Sequence, residues 1–338
     1  MLVMEDGLNT LLDQARALSP APVPWAGLRV AVLIPCCNEA VAIPKVVADF
    51  RTALPGAVVY VYDNNSRDGT AAAAQAAGAV VRRETLQGKG HVIRRGFADI
   101  DADIYVLVDG DDTYAAAAAP LMVRRLIEDQ LDMVTGRRVS APEDYAAAYR
   151  RGHRLGNRVL TGLVRSVFGD RVSDMLSGYR VFSRRFVKSF PALSSGFEIE
   201  TEVTVHALEL GLPVGEEPAR YKERPPGSLS KLRTWQDGAR ILRTILVLVK
   251  QERPLQFFAW AGLALLLAGL AVGIPVVVEY GATGYVSRLP SAVLATGFVL
   301  LSFLAFCCGL ILDSVARGRK ELRRLAYLAM PPASRGAQ

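Results

Sequence analysis

The run Tyr105-Val-Leu-Val-Asp109-Gly110-Asp111-Asp112-Thr113-Tyr114 is apolar until it meets three carboxylates. A short Val/Leu run reads as a buried strand, and open α/β sheets bind ligands beyond the carboxyl ends of their strands. Asp109 and Asp111 are separated by one residue, so on an extended chain they point to one side. There they can hold a divalent cation, whose hard charge in turn holds a diphosphate. Taken alone, the same residues also make an acidic turn. Other apolar runs end in polar residues too. One closes in Ile34-Pro35-Cys36-Cys37-Asn38-Glu39, where Pro35 is expected to halt the strand ladder and Asn38 or Glu39 to meet a ligand. Another closes in Asp63-Asn64-Asn65-Ser66-Arg67-Asp68-Gly69-Thr70, a turn-rich stretch leading into a helix. In Gln87-Gly88-Lys89-Gly90 the glycines would let backbone approach a phosphate while Lys89 supplies charge. This is neither a Walker A loop nor G-x-G-x-x-G, so ATPase and dinucleotide readings lose their main support.

The elements that must position these residues alternate along the first half of the chain. Apolar runs at 29–34, 58–62, 79–81, 104–108 and 133–135 are separated by helix-length segments, several rich in alanine. That pattern predicts an α/β fold, a mostly parallel sheet with helices on both faces. The alanine tracts 71–77 and 115–119 read as helix.

The second half has a different character. Of 338 residues 51% are hydrophobic, and the excess lies near the C-terminus. Leu255–Val278 and Leu289–Leu312 carry no charge, and each exceeds the roughly 20 residues needed to cross about 30 Å of hydrocarbon. They predict a transmembrane hairpin. Arg240, Arg243, Lys250 and Arg253 precede it, and Arg317, Arg319, Lys320, Arg323 and Arg324 follow it. The positive-inside rule therefore places both flanks and both termini in the cytoplasm, at the inner membrane. The net charge of +7 is explained by anionic lipid, without nucleic acid. Trp235–Lys250 has the pattern of an interfacial helix. Met1–Ser19 contains acids and is not expected to be a signal peptide. Cys36-Cys37 and Cys307-Cys308 are adjacent pairs without zinc-site spacing, and are read as reduced packing residues.

Between the halves, Tyr149–Arg158 is strongly basic and opens a helical pattern. Its arginines, Arg154 among them, suit either a lipid phosphate or an anionic membrane surface. Phe197-Glu198-Ile199-Glu200-Thr201-Glu202 sets three acids before an amphipathic helix, either to orient a basic partner or to complement the helix start. Tyr221–Lys231, rich in Pro, Gly, Ser and basic residues, reads as a loop that closes over a bound donor.

In order, Leu33-Ile-Pro-Cys-Cys-Asn-Glu39, Asp63-Asn-Asn-Ser-Arg-Asp-Gly-Thr70, Gly88-Lys-Gly90, Asp109-Gly-Asp111, Asp174-Met-Leu-Ser-Gly-Tyr-Arg180 and Arg224-Pro-Pro-Gly-Ser-Leu-Ser-Lys231 resemble the inverting family-2 glycosyltransferases. The resemblance runs from about Val30 to Lys231 and implies a GT-A fold. The last two motifs, joined to a terminal membrane hairpin, look like the polyprenyl-phosphate branch that includes dolichol-phosphate mannose synthases. The resemblance implies a donor site of Pro35, Asn38, Glu39, Asp63, Asn65, Lys89, Asp109 and Gly110, with Asp63 at the nucleobase or ribose. It implies that Asp109 and Asp111 hold Mg²⁺ or Mn²⁺. Catalysis would fall to Asp111, Arg180, Arg224 and Lys231, and the acceptor phosphate to Arg154, Arg180 and Ser230. Arg180→Ala is expected to impair transfer more than folding. Asn64-Asn65 departs from the Asp-Gly often found in the family, and Thr113 stands where many relatives place a glutamine.

The expected organisation is an N-terminal extension (1–27), a catalytic domain (28–232), a juxtamembrane helix (233–254), the hairpin (255–313) and a basic tail (314–338), with membrane lipids as partners and a homo-oligomer compatible. The expected activity is transfer of a hexose from a UDP- or GDP-sugar to a polyprenyl phosphate. A hydroxyl-lipid acceptor, which would need a general base, is the alternative. A processive polysaccharide synthase lacks its Gln-x-x-Arg-Trp motif here, and a non-catalytic sugar-nucleotide-binding scaffold would show neither donor hydrolysis nor transfer.

Overall fold

A computed structural model of the protein describes residues 24–139, 162, 169, 171–226 and 234–332. The five apolar runs are strands: β1 (Val30–Cys36), β2 (Val58–Asp63), β3 (Val80–Arg83), β4 (Ile104–Leu107) and β5 (Met133–Val139). Between them lie α1 (Ile43–Ala53), α2 (Thr70–Ala76), α3 (Lys89–Asp99) and α4 (Ala119–Glu128). Two further strands, β6 (Arg180–Ser183) and β7 (Val214–Arg220), were not expected. With α5 (Arg184–Ser189) and α6 (Ile199–Leu210) they complete a seven-stranded sheet of order β3-β2-β1-β4-β6-β5-β7. Every pairing is parallel except those of β6, which runs antiparallel to both β4 and β5.

Period-two alternation assigns β1 to both faces at once. Val30, Val32, Ile34 and Cys36 pack with Ile43, Val46 and Phe50 of α1 and Met122 and Leu126 of α4. Ala31 and Leu33 pack on the opposite face with Val92, Ile93 and Phe97 of α3 and Ile199 and Val203 of α6. Pro35 does not end the strand: β1 stays paired with β2 through Cys36↔Asp63. Its missing N–H points toward β4, where pairing has already stopped at Leu33↔Leu107, so no ladder bond is lost. The alanines at 116–118 form a 3₁₀ turn ahead of α4.

Helix α6 is not amphipathic. Eleven of its twelve residues are buried, because the sheet, α5 and the following helices cover it on every side. That next helix, α7 (Thr234–Glu252), lays Ile241 and Ile245 against Met175 and Val205 and leaves Leu242 and Leu246 exposed. The hairpin consists of α8 (Pro254–Thr283) and α9 (Leu289–Leu328), both long and apolar enough to cross a membrane. Their contact is a seam of small residues at intervals of seven: Gly262 and Gly269 on α8, Ala295, Ser302, Gly309 and Ala316 on α9. A heptad spacing keeps one stripe of each helix facing the other, and small residues let the backbones approach. Outside the seam Trp260 is 72% and Phe303 65% exposed, as a lipid-facing surface would be and a water-facing one would not. The segment read as a basic tail from 314 begins as the continuation of α9, helical to Leu328.

Candidate active site

The carboxyl ends of β1, β2 and β4 converge on one rim of the sheet. Asn38 and Asn65 adopt left-handed backbone angles, φ 51° and 63°, as short polar residues tolerate. Asn38 fastens the first loop to the second: its N–H donates to Ser66 Oγ (2.9 Å) and its Oδ1 accepts from Arg67 N–H (2.7 Å). The Glu39 N–H donates to Thr70 Oγ1 at 2.8 Å, which leaves its carboxylate for Arg224. Asp63 accepts from Ser66 N–H on Oδ2, while its Oδ1 is buried with no hydrogen-bond partner among the described residues. An acceptor that is desolvated and unpartnered suits a ligand hydroxyl or N–H.

Each acid beyond β4 meets a cation brought from elsewhere in the chain. Asp109 Oδ1 and Glu200 Oε1 both lie 2.5 Å from Lys89 Nζ. Asp111 Oδ2 lies 2.6 Å from Arg224 Nη2, and its Oδ1 accepts from Thr113 Oγ1 at 2.6 Å. Asp112 turns away through φ 59° and pairs with Lys222 (2.7 Å) and Lys45 (3.4 Å). Lys222 and Arg224 are delivered by the segment that follows β7, where Tyr221 bridges Tyr114 and the Lys222 N–H donates to Thr113 carbonyl. Burial would push the Lys89 ammonium down, but Asp109 and Glu200 outweigh it and raise its pKa, so it stays charged. The Asp111 carboxyl is pushed above the usual range by burial first and by the negative charge of Asp109 second, against the opposing pull of Arg224.

Several expected site residues have other duties. Arg180 is 1% exposed and lies beneath the rim. Its guanidinium donates to the carbonyls of Ser177 (3.0 Å), Met175 (2.5 Å) and Glu200 (3.2 Å). Burial lowers its pKa to about 10, which leaves it a cation at neutral pH. It ties β6 to the start of α6, its fork engaged by backbone carbonyls. Asn65 donates to Thr85 carbonyl at 2.9 Å, and Asn64 holds the carbonyls of Glu84 and Leu86, so this pair shapes the loop before Lys89. The Gly88-Lys89-Gly90 turn is closed to a phosphate on one side. A Cβ on Gly90 would stand 2.1 Å from Ser194 carbonyl oxygen, and the Gly90 N–H already donates to Ser195 carbonyl. Gly110 links the two acids and packs on Cys36 Sγ. Arg154, Ser230 and Lys231 lie outside the described residues, as do the 149–158 basic stretch, the 1–19 segment and the end of the 221–231 loop. Sequence reasoning named the acids around Glu200 without a partner; that partner, Lys89, is 111 residues away.

Could these residues hold a divalent cation? Among the described residues no group of three or more His, Cys, Asp or Glu is arranged for a metal. The protein can therefore offer the Asp109 and Asp111 carboxylates, hard oxygen donors, and no complete cage. Burial and, after it, like charge already raise Asp111, and a cation between the two carboxylates would relieve the second of these. Gly178 lets its backbone pack directly on the Asp109 carboxylate: a Cβ there would stand 2.3 Å from Oδ2. The donor set fits a cation shared with a diphosphate, as Mg²⁺ is commonly held by one or two carboxylates plus phosphate oxygens.

Residues 31–190 match the family described as glycosyl transferase family 2. Glycosyltransferase AglJ of Haloferax volcanii is 32% identical over 301 residues, 88% of this chain and 98% of that protein. The dolichyl-phosphate hexose transferase of the same organism is 28% identical over 224 residues, 66% of this chain and 95% of its own length. The crystal structure of Mycobacterium tuberculosis glucosyl-3-phosphoglycerate synthase superposes with a TM-score of 0.54 at 22% identity, covering 67% of this chain and 81% of that one. With a GT-A-like mixed sheet and a rim of carboxylates at its strand ends, the chain belongs to glycosyl transferase family 2.

Proposed function

We propose that this glycosyltransferase moves a hexose from a UDP- or GDP-linked donor to a polyprenyl phosphate at the cytoplasmic leaflet of the inner membrane, with inversion. The observation that carries the reading is the joining of the Asp109–Asp111 rim to a two-helix apolar hairpin in one chain. The similarity to a dolichyl-phosphate hexose transferase supports the acceptor class. Asp63, whose Oδ1 is buried and unpartnered, receives the nucleoside. A divalent cation on Asp109 and Asp111 would supply charge neutralisation for the departing diphosphate. Lys89 fixes the Asp109 carboxylate from behind, and Arg224 stands beside Asp111 where it can follow the developing negative charge.

An acceptor phosphate monoester has a second pKa near 6 and is already anionic at neutral pH. Its oxygen attacks the anomeric carbon from the face opposite the leaving group, and the C–O bond to the diphosphate breaks with its electron pair leaving on that diphosphate. No general base is required, so positioning is the main task of the protein. Purified full-length protein should be incubated with UDP- and GDP-sugars, Mg²⁺ or Mn²⁺, and undecaprenyl phosphate. The expected result is one glycolipid and one nucleoside diphosphate in equal amounts, silenced by EDTA and restored by metal. Transfer to diacylglycerol in place of the lipid phosphate would replace this acceptor assignment. For topology, an impermeant thiol reagent should label a cysteine at Ser287 in intact cells of a cysteine-free background; labelling at Ser334 instead would invert the orientation.

A further inference from the structure

Helix α9 is 40 residues long, about 60 Å at 1.5 Å per residue, twice what about 30 Å of hydrocarbon requires. Its surplus, from Asp313 to Leu328, does not hang free. Lys320 Nζ lies 2.9 Å from Glu209 Oε1, and Arg324 Nη2 donates to Leu210 carbonyl at 3.3 Å. Both partners are at the last turn of α6, where cations also answer the helix dipole. Arg253, at the elbow between α7 and α8, approaches the other oxygen of Glu209 at 3.4 Å. Arg323 pairs with Glu252 at 2.6 Å. Farther on, the Tyr327 hydroxyl donates to Asp132 Oδ2 at 2.8 Å, beneath the Arg185 guanidinium, which sits 4.9 Å from the ring centre. Asp132 is fully buried at the start of β5 and also accepts from Ser183 and Arg185. A buried acid with three donors is a strong and directional anchor.

The other end of α6 is at the chemistry. Glu200, in its first turn, meets the Lys89 that fixes Asp109, and Arg180 donates to the Glu200 carbonyl. Twelve residues make this helix about 18 Å long, and it is buried along nearly its whole length. It is a strut with one end on the acid rim and the other in the grip of the membrane helix.

We infer that the 313–328 segment of α9 is a positioning element for catalysis, in which Lys320 and Tyr327 set the place of the Asp109–Lys89–Glu200 cluster relative to the bilayer by holding α6 and β5. The acceptor arm of the test rests on the polyprenyl-phosphate reading; the exchange arm does not.

The test uses the full-length enzyme in nanodiscs, as wild type, the double variant Lys320→Ala/Tyr327→Phe, and Lys320→Arg. Hydrogen exchange followed by mass spectrometry should show faster exchange in the double variant along 199–210 and reaching 89–92. Acceleration confined to 313–328 would overturn the inference. With undecaprenyl phosphate in the nanodisc, kcat should fall about tenfold in the double variant while donor KM stays within about twofold. Transfer to a short, water-soluble isoprenyl phosphate should stay within about twofold, because that acceptor needs no fixed distance from the bilayer. Lys320→Arg should retain near-wild-type values for both. An equal fall on both acceptors would mark a general loss of folded enzyme and overturn the inference. A wild type that uses neither phosphate would refute the acceptor assignment, and the exchange pattern alone would then decide the role of the segment.

Discussion

Around Asp109 the carboxylates are fixed chiefly by charged partners remote in sequence, whereas along the α8–α9 hairpin the fixed positions depend on the lack of a side chain. Lys89 joins residues 20 and 111 positions away, and Arg224 reaches Glu39 across 185. The hairpin seam carries no charge, and a Cβ on Gly262 would stand 3.2 Å from Ser302 carbonyl oxygen. Water explains the difference. At the rim, an unpaired charge out of water is costly, so each carboxylate is balanced by a cationic side chain. Two helices in lipid would gain nothing from the hydrophobic effect against that solvent, and close packing would carry their association.

The sharpest way to break this comparison is to remove a buried charge that serves only structure. Arg180→Ala orphans three carbonyls and should cost about 3–5 kcal/mol of stability, seen as early thermal unfolding in detergent. The sequence alone predicts that this variant impairs transfer more than folding. A stable Arg180→Ala protein with wild-type unfolding and no turnover would return Arg180 to the ligand. Next comes Asp111→Asn, for which a fall of at least about a hundredfold in turnover is expected, about 2.7 kcal/mol in the barrier, with unfolding unchanged. Asp112→Asn is its control. Asp112 faces Lys45 and Lys222, one of them half-exposed, and should lose less than about tenfold. Equal losses in the two variants would dissolve the distinction between them.

The hairpin is tested by adding bulk. Gly269→Leu should destabilise by about 1–3 kcal/mol, since even a Cβ would stand 3.1 Å from Val299 Cγ2 and 3.2 Å from Phe298 Cβ. Gly281→Leu, with nothing near its Cβ, should not. Matching melting curves for the two would remove the seam from the account. A smaller effect lies in α6, where His206 packs against Phe186 and Phe190 and burial, with help from Arg323, lowers its pKa to about 3. The unfolded chain takes up a proton near pH 6.5 and the folded one does not. The histidine's contribution is therefore present above about pH 6.5 and is lost as pH falls toward 3, by about 1 kcal/mol between pH 7 and 5.5. His206→Phe should flatten stability over that window, and an unchanged slope would show that His206 is protonated with little penalty in the fold.

Much of this molecule was readable from its residues, and the boundary has a physical meaning. Runs such as Val58–Tyr62 and Ile104–Val108 declare themselves because strands buried on both faces need continuous apolar sequence. β7 did not, since Val214-Gly-Glu-Glu-Pro-Ala-Arg220 holds residues that strands avoid; it is an edge strand, and its glutamates bond to Ser173 and Arg125. The Asp109–Asp111 pair was legible from its place at a strand end. What could not be read was which cation meets which acid, because a pairing across 111 residues leaves no local trace. Arg180 marks a related limit: a motif arginine has the same letter whether its fork meets phosphate or backbone.

The antiparallel strand β6 also orders events in time. Both neighbours of β5, β6 and β7, lie downstream of it in the chain, so β5 leaves the ribosome with no strand beside it. At about 5–20 residues per second, the stretch from Val139 to Arg220 takes roughly 4–16 s to synthesise. During that interval β1 to β4 can assemble while an unpaired strand waits, exposed to chaperones or to another nascent copy. The sheet closes only as the first of the two long apolar helices is about to emerge, so the β-sheet half is complete before the hairpin can form.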